Sequence, residues 1–227
     1  MILRSLRDVR LGTIIAMLLV ASALWVFLEV ADEVLDGETR QFDERVLLAF
    51  RSAADSGDPL GPGWVEELAR DVTGLGSVVV LTFLTLAAAG FLLLERKRHL
   101  AVYVLAAIVS GTIGSSLLKF GFDRPRPDLV AHGHVVYTSS FPSGHSMMSA
   151  LVFLTLGVLL ATAQVQRVMQ FYVLALAILL TVAVGLSRVY LGVHWPTDVL
   201  AGWAAGSGWA FLCWGVADFL RNRGRIE

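Results

Sequence analysis

Long apolar stretches dominate the chain. Six of them contain no Asp, Glu, Lys, Arg or His, and each is 18 to 23 residues long: 11–28, 72–94, 100–118, 146–166, 168–187 and 199–217. A bilayer core is crossed by about 20 apolar residues in helical form, so each stretch predicts a transmembrane helix. Strands of a membrane barrel would be half as long and would alternate in polarity. The pattern therefore predicts an all-α, polytopic membrane protein with six transmembrane helices.

The connection between the first two stretches has a different character. Residues 32–71 hold eleven acidic residues and four arginines. Their mixed apolar and polar pattern predicts short interfacial helices around 38–54 and 64–71, in the first outer loop. No repeat, low-complexity run or flexible linker divides the chain, so we expect a single domain over 1–227.

Composition agrees with a membrane protein and excludes several other classes. The chain is 56% hydrophobic and 16% charged, with a mean hydropathy of +0.70, whereas soluble domains are about 25% charged. A net charge of −1 gives no reason to expect nucleic acid as a partner. Cys213 is the single cysteine, so no internal disulfide is possible.

The basic residues predict the orientation in the membrane. Ten Lys and Arg residues fall on one side if the six helices alternate, and this side is expected to be cytoplasmic. They are Arg4, Arg7, Arg10, Arg96, Lys97, Arg98, Arg167, Arg221, Arg223 and Arg225. Both termini would then be cytoplasmic and the first long loop would be outside. The first apolar stretch is longer than the core of a signal peptide, so we interpret it as a retained helix.

Polar residues near the ends of four helices would all lie on the outer side. They are Lys119, 142–145, 187–188, His194 and Asp198, with the loop 120–141 between the third and fourth helices. Basic residues are uncommon on this side. Lys119, Arg126 and Arg188 therefore predict an anion site, and a phosphate suits the planar fork of arginine. Arg124 is open to two interpretations, phosphate binding or pairing with acidic groups of the outer loops.

Pro142-Ser143-Gly144-His145 predicts a helix start. Ser143 is a good N-cap residue, and Gly144 allows a ligand to approach the backbone. The N–H groups and dipole of such a helix end bind anions. Beside a basic cluster, this segment predicts a phosphate cradle with an acid, His145, attached.

His194 and Asp198 are four residues apart, with Pro196 at a predicted first helical turn. The carboxylate can orient the imidazole through one ring nitrogen and leave the other to attack or to accept a proton. Two histidines at one anion site permit one to attack phosphorus while the other protonates the leaving oxygen. No Asp, Glu and His cluster has a recognisable metal spacing, and we interpret His132 and His134 as loop residues.

Together these residues resemble the type-2 phosphatidic acid phosphatase superfamily, the membrane lipid phosphate phosphatases. Its three motifs are Lys-x6-Arg-Pro, Pro-Ser-Gly-His and Ser-Arg-x5-His-x3-Asp. Here they are Lys119 with Arg126-Pro127, then Pro142-Ser143-Gly144-His145, then Ser187-Arg188 with His194 and Asp198. The motif-bearing core would cover about 100–217.

The resemblance implies a role for each matching residue. His194 would be the nucleophile that forms a phosphohistidine, Asp198 would orient it, and His145 would be the general acid. Lys119, Arg126 and Arg188 would bind phosphoryl oxygens, and Ser143 and Gly144 would add hydrogen bonds. The family works without a metal or other cofactor, so none is expected.

Small size and six helices resemble the bacterial phosphatidylglycerophosphate and undecaprenyl pyrophosphate phosphatases of this family. We therefore expect a multi-pass protein of the inner membrane that hydrolyses a lipid phosphate or pyrophosphate at the periplasmic face. Phosphatidate, phosphatidylglycerophosphate and undecaprenyl pyrophosphate all remain open as substrates, as does the oligomeric state.

Three other functions remain open. A phosphotransferase would pass the phosphoryl group from a lipid pyrophosphate to another acceptor, and the three motifs do not exclude it. A non-enzymatic lipid-phosphate binding or transport protein would need only the cations and not a complete set of nucleophile, acid and orienting residues. A vanadate-dependent haloperoxidase would use similar anion-site residues, but six apolar spans in a short chain argue against it.

Overall fold

The fold consists of α-helices joined by loops, in a computed structural model that describes residues 11–53, 55–128 and 139–222. Within these residues it contains eight helices and no strand. The helices are α1 (Leu11–Asp36), α2 (Arg40–Leu48), α3 (Gly63–Gly74), α4 (Val78–Leu94), α5 (Arg98–Gly121), α6 (Gly144–Thr162), α7 (Arg167–Tyr190) and α8 (Pro196–Asn222).

The helices confirm an all-α, multi-pass membrane protein. Five of those described, α1, α5, α6, α7 and α8, are long and apolar enough to cross a bilayer. Helices α3 and α4 raise the number to six when they are counted as one span bent by 47°. Helices α2 and α3 lie in the two segments where short helices were expected. The basic residues at 4–10 and 223–225, on which the expected orientation rests, lie outside the described residues.

A bend interrupts the second apolar stretch, which the sequence presented as a continuous helix over 72–94. Helix α3 ends at Gly74, and Ser77 caps the start of α4 by accepting a hydrogen bond from the N–H of Val80. Gly76 lies between the two helices, where a Cβ atom would be 2.5 Å from Cγ1 of Val184. Only glycine allows this close approach to α7, so the bend brings the chain against the helices that carry the site.

Helix α6 lies at the centre of the bundle. It packs against both α7 and α8, and α1 covers the other side of α8. Ala150, Leu151 and Val152 of α6 are fully buried, whereas apolar residues of α1, α4 and α7 remain exposed on the outside of the bundle. A central helix surrounded by protein, with lipid-facing helices around it, accounts for this distribution.

Two glycines allow α6 and α8 to cross closely. Gly202 and Gly206 form a Gly-x3-Gly pair, the small-residue spacing that lets membrane helices meet at the backbone. A Cβ atom at 206 would lie 2.1 Å from the backbone oxygen of Met147, and one at 202 would lie 2.7 Å from that of Ser143. Both contacts are with backbone, which cannot move aside as a side chain can.

We expect Gly206→Ala to destabilise the protein by about 1–3 kcal/mol, because the added methyl group forces α6 and α8 apart. Thermal unfolding in detergent measures the effect. Gly90→Ala is the matched control, since a Cβ atom at 90 in α4 would have nothing within 4 Å. Equal unfolding temperatures for the two variants would contradict the close crossing.

Candidate active site

One cavity of about 550 Å³ brings together most of the residues singled out from the sequence. Six of the eight line it, and they come from α5, α6, α7 and the loops next to them. The six are Lys119, Arg126, Gly144, His145, Arg188 and His194. The other two, Ser143 and Asp198, are fully buried behind its wall.

The turn after α7 directs the chain towards His194. The N–H of Val193 donates to the carbonyl of Arg188 at 3.1 Å, and the N–H of Gly192 donates to that of Val189 at 2.9 Å. This pair of bonds is a Schellman motif, and Gly192 has the positive φ of 72° that it requires. Because the Schellman motif fixes the end of α7, the backbone position from which His194 enters the cavity is also fixed.

The two ring nitrogens of His194 face different partners. Nδ1 lies 3.4 Å from Oδ2 of Asp198 and 3.3 Å from Oγ of Ser140, on the buried side. Nε2 lies 3.2 Å from Nη1 of Arg126, which lines the cavity. The carboxylate favours the tautomer with its proton on Nδ1, so the lone pair of Nε2 is directed towards the cation.

Three donors hold the Asp198 carboxylate, and all of them precede it in the chain. Oδ2 accepts from the backbone N–H of Trp195 at 2.9 Å and from the hydroxyl of Ser140. Oδ1 accepts from Nη1 of Arg124 at 2.6 Å. The bond to Trp195 also caps the first turn of α8, so the carboxylate that faces His194 belongs to the helix start.

Burial keeps the His194 ring neutral. It lowers the pKa of His194 to about 4; the hydrogen bond and charge of Asp198 partly oppose this shift, while Arg126 and Arg188 reinforce it. The ring is only 1% exposed. A neutral ring at physiological pH has a lone pair available for bonding to an electrophile.

The start of α6 forms another wall of the cavity. Ser143 is its N-cap, as expected, and its hydroxyl accepts from the N–H and the hydroxyl of Ser146 at 3.5 and 3.0 Å. A Cβ atom at Gly144 would lie 3.3 Å from Nζ of Lys119, so the ammonium group approaches the helix terminus closely. The hydroxyl of Ser143 is therefore engaged in the cap, while Gly144 and Lys119 face the cavity.

The two cavity arginines are held from the protein side. Nη1 of Arg126 donates to the carbonyl of Val193 at 2.9 Å, and Nη1 of Arg188 donates to Oγ1 of Thr73 at 3.0 Å. Burial lowers the pKa of Arg126, yet a guanidinium remains charged at neutral pH. Nε of Arg188 is buried and has no hydrogen-bond partner in the described part of the chain.

Two residues of the site did not emerge from the motifs. Ser140 contacts both Asp198 and His194, and the only sequence signal for it was its position just before the Pro-Ser-Gly-His segment. Arg124 pairs with acidic groups, one of the two interpretations left open: Nη2 binds Asp43 at 2.7 Å, and Nη1 binds Asp198. The pairing of Arg124 with Asp198, a carboxylate inside the site, could not be predicted from the sequence.

No group of three or more His, Cys, Asp and Glu side chains that could hold a metal ion occurs among residues 11–53, 55–128 and 139–222. His132 and His134 lie outside these ranges, so their interpretation as loop residues stays a prediction. Within the cavity the charged groups are cationic, an arrangement that suits an anion and not a cation.

Comparison with known proteins identifies the family. The sequence profile of the PAP2 superfamily matches residues 100–221. Phosphatidylglycerophosphatase B of Bacillus subtilis is 34% identical over 163 residues, which cover 70% of this chain and 78% of the relative. Undecaprenyl-diphosphatase of Sulfolobus acidocaldarius is 31% identical over 126 residues, or 53% of this chain and 57% of that protein.

A solved structure resembles the whole bundle. The crystal structure of a transmembrane PAP2-type phosphatidylglycerolphosphate phosphatase from Bacillus subtilis matches with a TM-score of 0.77 and 28% identity. The match covers 88% of this chain and 96% of the other. The chain therefore belongs to the PAP2 superfamily, and it is a lipid phosphatase.

Proposed function

We propose that the protein hydrolyses the terminal phosphate of a membrane lipid phosphate or pyrophosphate, without a metal, through a phosphohistidine at His194. The observation that carries this proposal is that one part of the cavity is cationic and another part is apolar. The part beside the helix ends at Lys119 and Arg188 is cationic and holds both histidines. The remaining wall is formed mainly by apolar and hydroxyl side chains of α4 and α5. A phosphate joined to a hydrocarbon tail is the ligand that matches both parts.

The geometry around His194 supports nucleophilic attack by Nε2. Its lone pair attacks phosphorus, the bond between phosphorus and the leaving oxygen breaks, and Asp198 stabilises the positive charge that develops on the ring. Arg126 lies 3.2 Å from Nε2 and would bind a phosphoryl oxygen beside the attacking atom. We assign Lys119 and Arg188 to the other phosphoryl oxygens.

His145 is the proposed proton carrier for both steps. It lies in the first turn of α6 and lines the same cavity as His194. It would first give a proton to the leaving oxygen. It would then accept a proton from the water that attacks the phosphohistidine, breaks the N–P bond and releases phosphate. The cycle returns both rings to their starting states.

Charge neutralisation in this proposal comes from side chains and backbone. Phosphoryl transfer needs mainly positioning and stabilisation of charge on the phosphoryl oxygens. Lys119, Arg126 and Arg188 offer three positive charges, and the N-terminus of α6 adds N–H donors at Gly144. Ser143 contributes through the cap that holds this helix end.

The proposed location is the inner membrane, with the site facing the periplasm and both termini in the cytoplasm. Arg96, Lys97, Arg98 and Arg167 support this orientation, because they lie at the helix ends opposite to the cavity. Phosphatidate, phosphatidylglycerophosphate and undecaprenyl pyrophosphate all present a terminal phosphoryl group on an apolar tail. All three are therefore proposed as candidate substrates.

We expect purified protein to release phosphate from at least one of these lipids in the presence of excess chelator, and His194→Ala to abolish release while lipid binding persists. Brief incubation with labelled substrate should yield an acid-labile, alkali-stable phosphoprotein only in the wild type. Wild-type turnover by His194→Ala would refute the assigned nucleophile.

Asp198→Asn is expected to fold and to react about 10⁴-fold more slowly, by analogy with loss of the orienting carboxylate of a serine protease.

His194 is expected to stay neutral until the pH falls to about 4. Since burial favours the neutral ring, protonation occurs only as the pH falls through this value and not near 6.5. The ¹³Cε1 resonance of labelled histidine in detergent reports the titration, and a His194→Asn spectrum identifies the signal. A midpoint at 6.5 or above would show that the ring is solvated.

Filling the apolar part of the cavity should impair long-chain substrates selectively. Val109 of α5 lines the cavity, and we expect Val109→Trp to lower kcat/KM for a long-chain lipid phosphate about tenfold, the loss of roughly two buried methylenes. A short-chain analogue should react as before. Ile113→Trp is the matched control, because Ile113 is equally exposed one turn further along α5 and lies outside the cavity lining. Equal losses on both substrates would contradict a lipid-binding cleft.

A further inference from the structure

The acidic segment between α1 and α3 places one carboxylate deep inside the protein. Asp43, in the nine-residue helix α2, has no exposed surface. Its Oδ1 accepts from the backbone N–H of Thr197 at 3.0 Å, and its Oδ2 accepts from Oγ1 of Thr197 and Nη2 of Arg124, each at 2.7 Å. A carboxylate is buried only when it is paired, and these three donors meet that requirement.

Arg124 connects this carboxylate to the reacting centre. Its two terminal nitrogens bind two different carboxylates, Nη2 with Asp43 and Nη1 with Asp198, at 2.7 and 2.6 Å. The guanidinium is planar and rigid, so a change at one end of the fork changes the direction of the other. The sequence of contacts from α2 to the nucleophile is Asp43, Arg124, Asp198 and His194.

The same side of α2 also holds the loop that carries the nucleophile. Leu47, one turn after Asp43, is fully buried and packs against Trp195. Arg51, just beyond the helix, is buried and donates from Nη2 to the carbonyl of Tyr190 at 2.9 Å. Contacts at 43, 47 and 51 therefore hold both ends of the segment 190–197, and only the contact at 43 reaches the catalytic residues through charged groups.

We propose that Asp43 is a positioning residue for the reaction: it holds Arg124, which fixes Asp198 and thereby the direction of Nδ1 of His194. This inference rests on the proposed nucleophilic role of His194. Arg124 also donates to the hydroxyls of Thr39 and Thr197. Without the charge of Asp43, Asp198 would be the only carboxylate bound to Arg124, and the guanidinium would draw it away from the ring. A shift of this kind lowers the rate without removing any group that contacts the substrate.

Asp43→Asn is the test variant, because its amide oxygen can still accept from Thr197 while the charge that holds Arg124 is lost. We expect kcat to fall about 10-fold or more, because the nucleophile is misaligned, with KM close to the wild-type value. Glu44→Gln is the matched control. It removes the same charge from the next residue of α2, where Glu44 makes only an exposed pair with Arg40, and kcat should change by less than a factor of about 2.

Arg124→Lys provides a second variant if Asp43→Asn does not fold. Lysine keeps the charge but cannot bind two carboxylates through one rigid fork. We expect its kcat to fall as in Asp43→Asn, and the double variant to be no slower than the slower single variant, since both changes break the same connection. Wild-type kcat in either folded single variant, or multiplied losses in the double variant, would overturn the proposal.

His194→Ala, assayed beside these variants, separates this inference from the function on which it rests. Turnover by His194→Ala would refute the assigned nucleophile. Inactive His194→Ala together with wild-type kinetics in Asp43→Asn would refute only the role of Asp43. A fall in thermal stability of Asp43→Asn with unchanged kcat would likewise reduce Asp43 to a residue that caps α8.

Discussion

The site depends on one carboxylate that has no contact with solvent. Asp198 accepts hydrogen bonds from a backbone amide, a hydroxyl and a guanidinium, and it faces the buried nitrogen of His194. Removing a carboxylate from water costs several kcal/mol unless such donors replace the lost hydration. The buried carboxylate therefore needs all of these donors close to it. Because some donors come from the loop before α6 and one from the start of α8, these two segments lie together.

The backbone of the same residue joins the two helices whose ends form the site. The carbonyl of Asp198 accepts from the N–H of Ser143 at 2.9 Å, so the N-cap of α6 is bonded directly to the first turn of α8. Below this bond, Gly202 and Gly206 keep the two helices in close contact. Positions of the reacting groups thus depend on helix packing as much as on polar contacts, because neither can change without the other.

Lys119, Arg188 and His194 could be predicted from the sequence because each lies beside a helix end. Once the helices alternate across a bilayer, Lys119, Arg188 and His194 must share one side, and motif spacing supplies the rest. Asp43 was not accessible in this way. Its partners are 81 and 154 residues distant along the chain, and its neighbourhood has the composition of an ordinary solvated acidic loop. No local pattern distinguishes this buried carboxylate from the other ten, none of which is buried.

The bend in the second apolar stretch shows a related limit. Hydropathy is continuous across 72–94, and a glycine inside such a stretch is tolerated in membrane helices. The bend coincides with the close approach of Gly76 to Val184, over a hundred residues further on, and with the cap that Ser77 provides for α4. Length and apolarity predict that a segment spans a membrane, but they do not reveal the tertiary contact at its bend.

The site as a whole is built from two sets of helices with unequal tolerance for change. Helices α6 and α8 meet through backbone contacts and buried polar bonds, where nearly every substitution disturbs a neighbour. Most of the apolar wall of the cavity comes instead from α4 and α5, where lining side chains such as Leu86 and Val109 are more than half exposed. Under the proposed function, α4 and α5 would set the lipid preference, while the chemistry would depend on the other helices. A laboratory search for new lipid selectivity would best randomise these two helices and leave the rest of the bundle untouched.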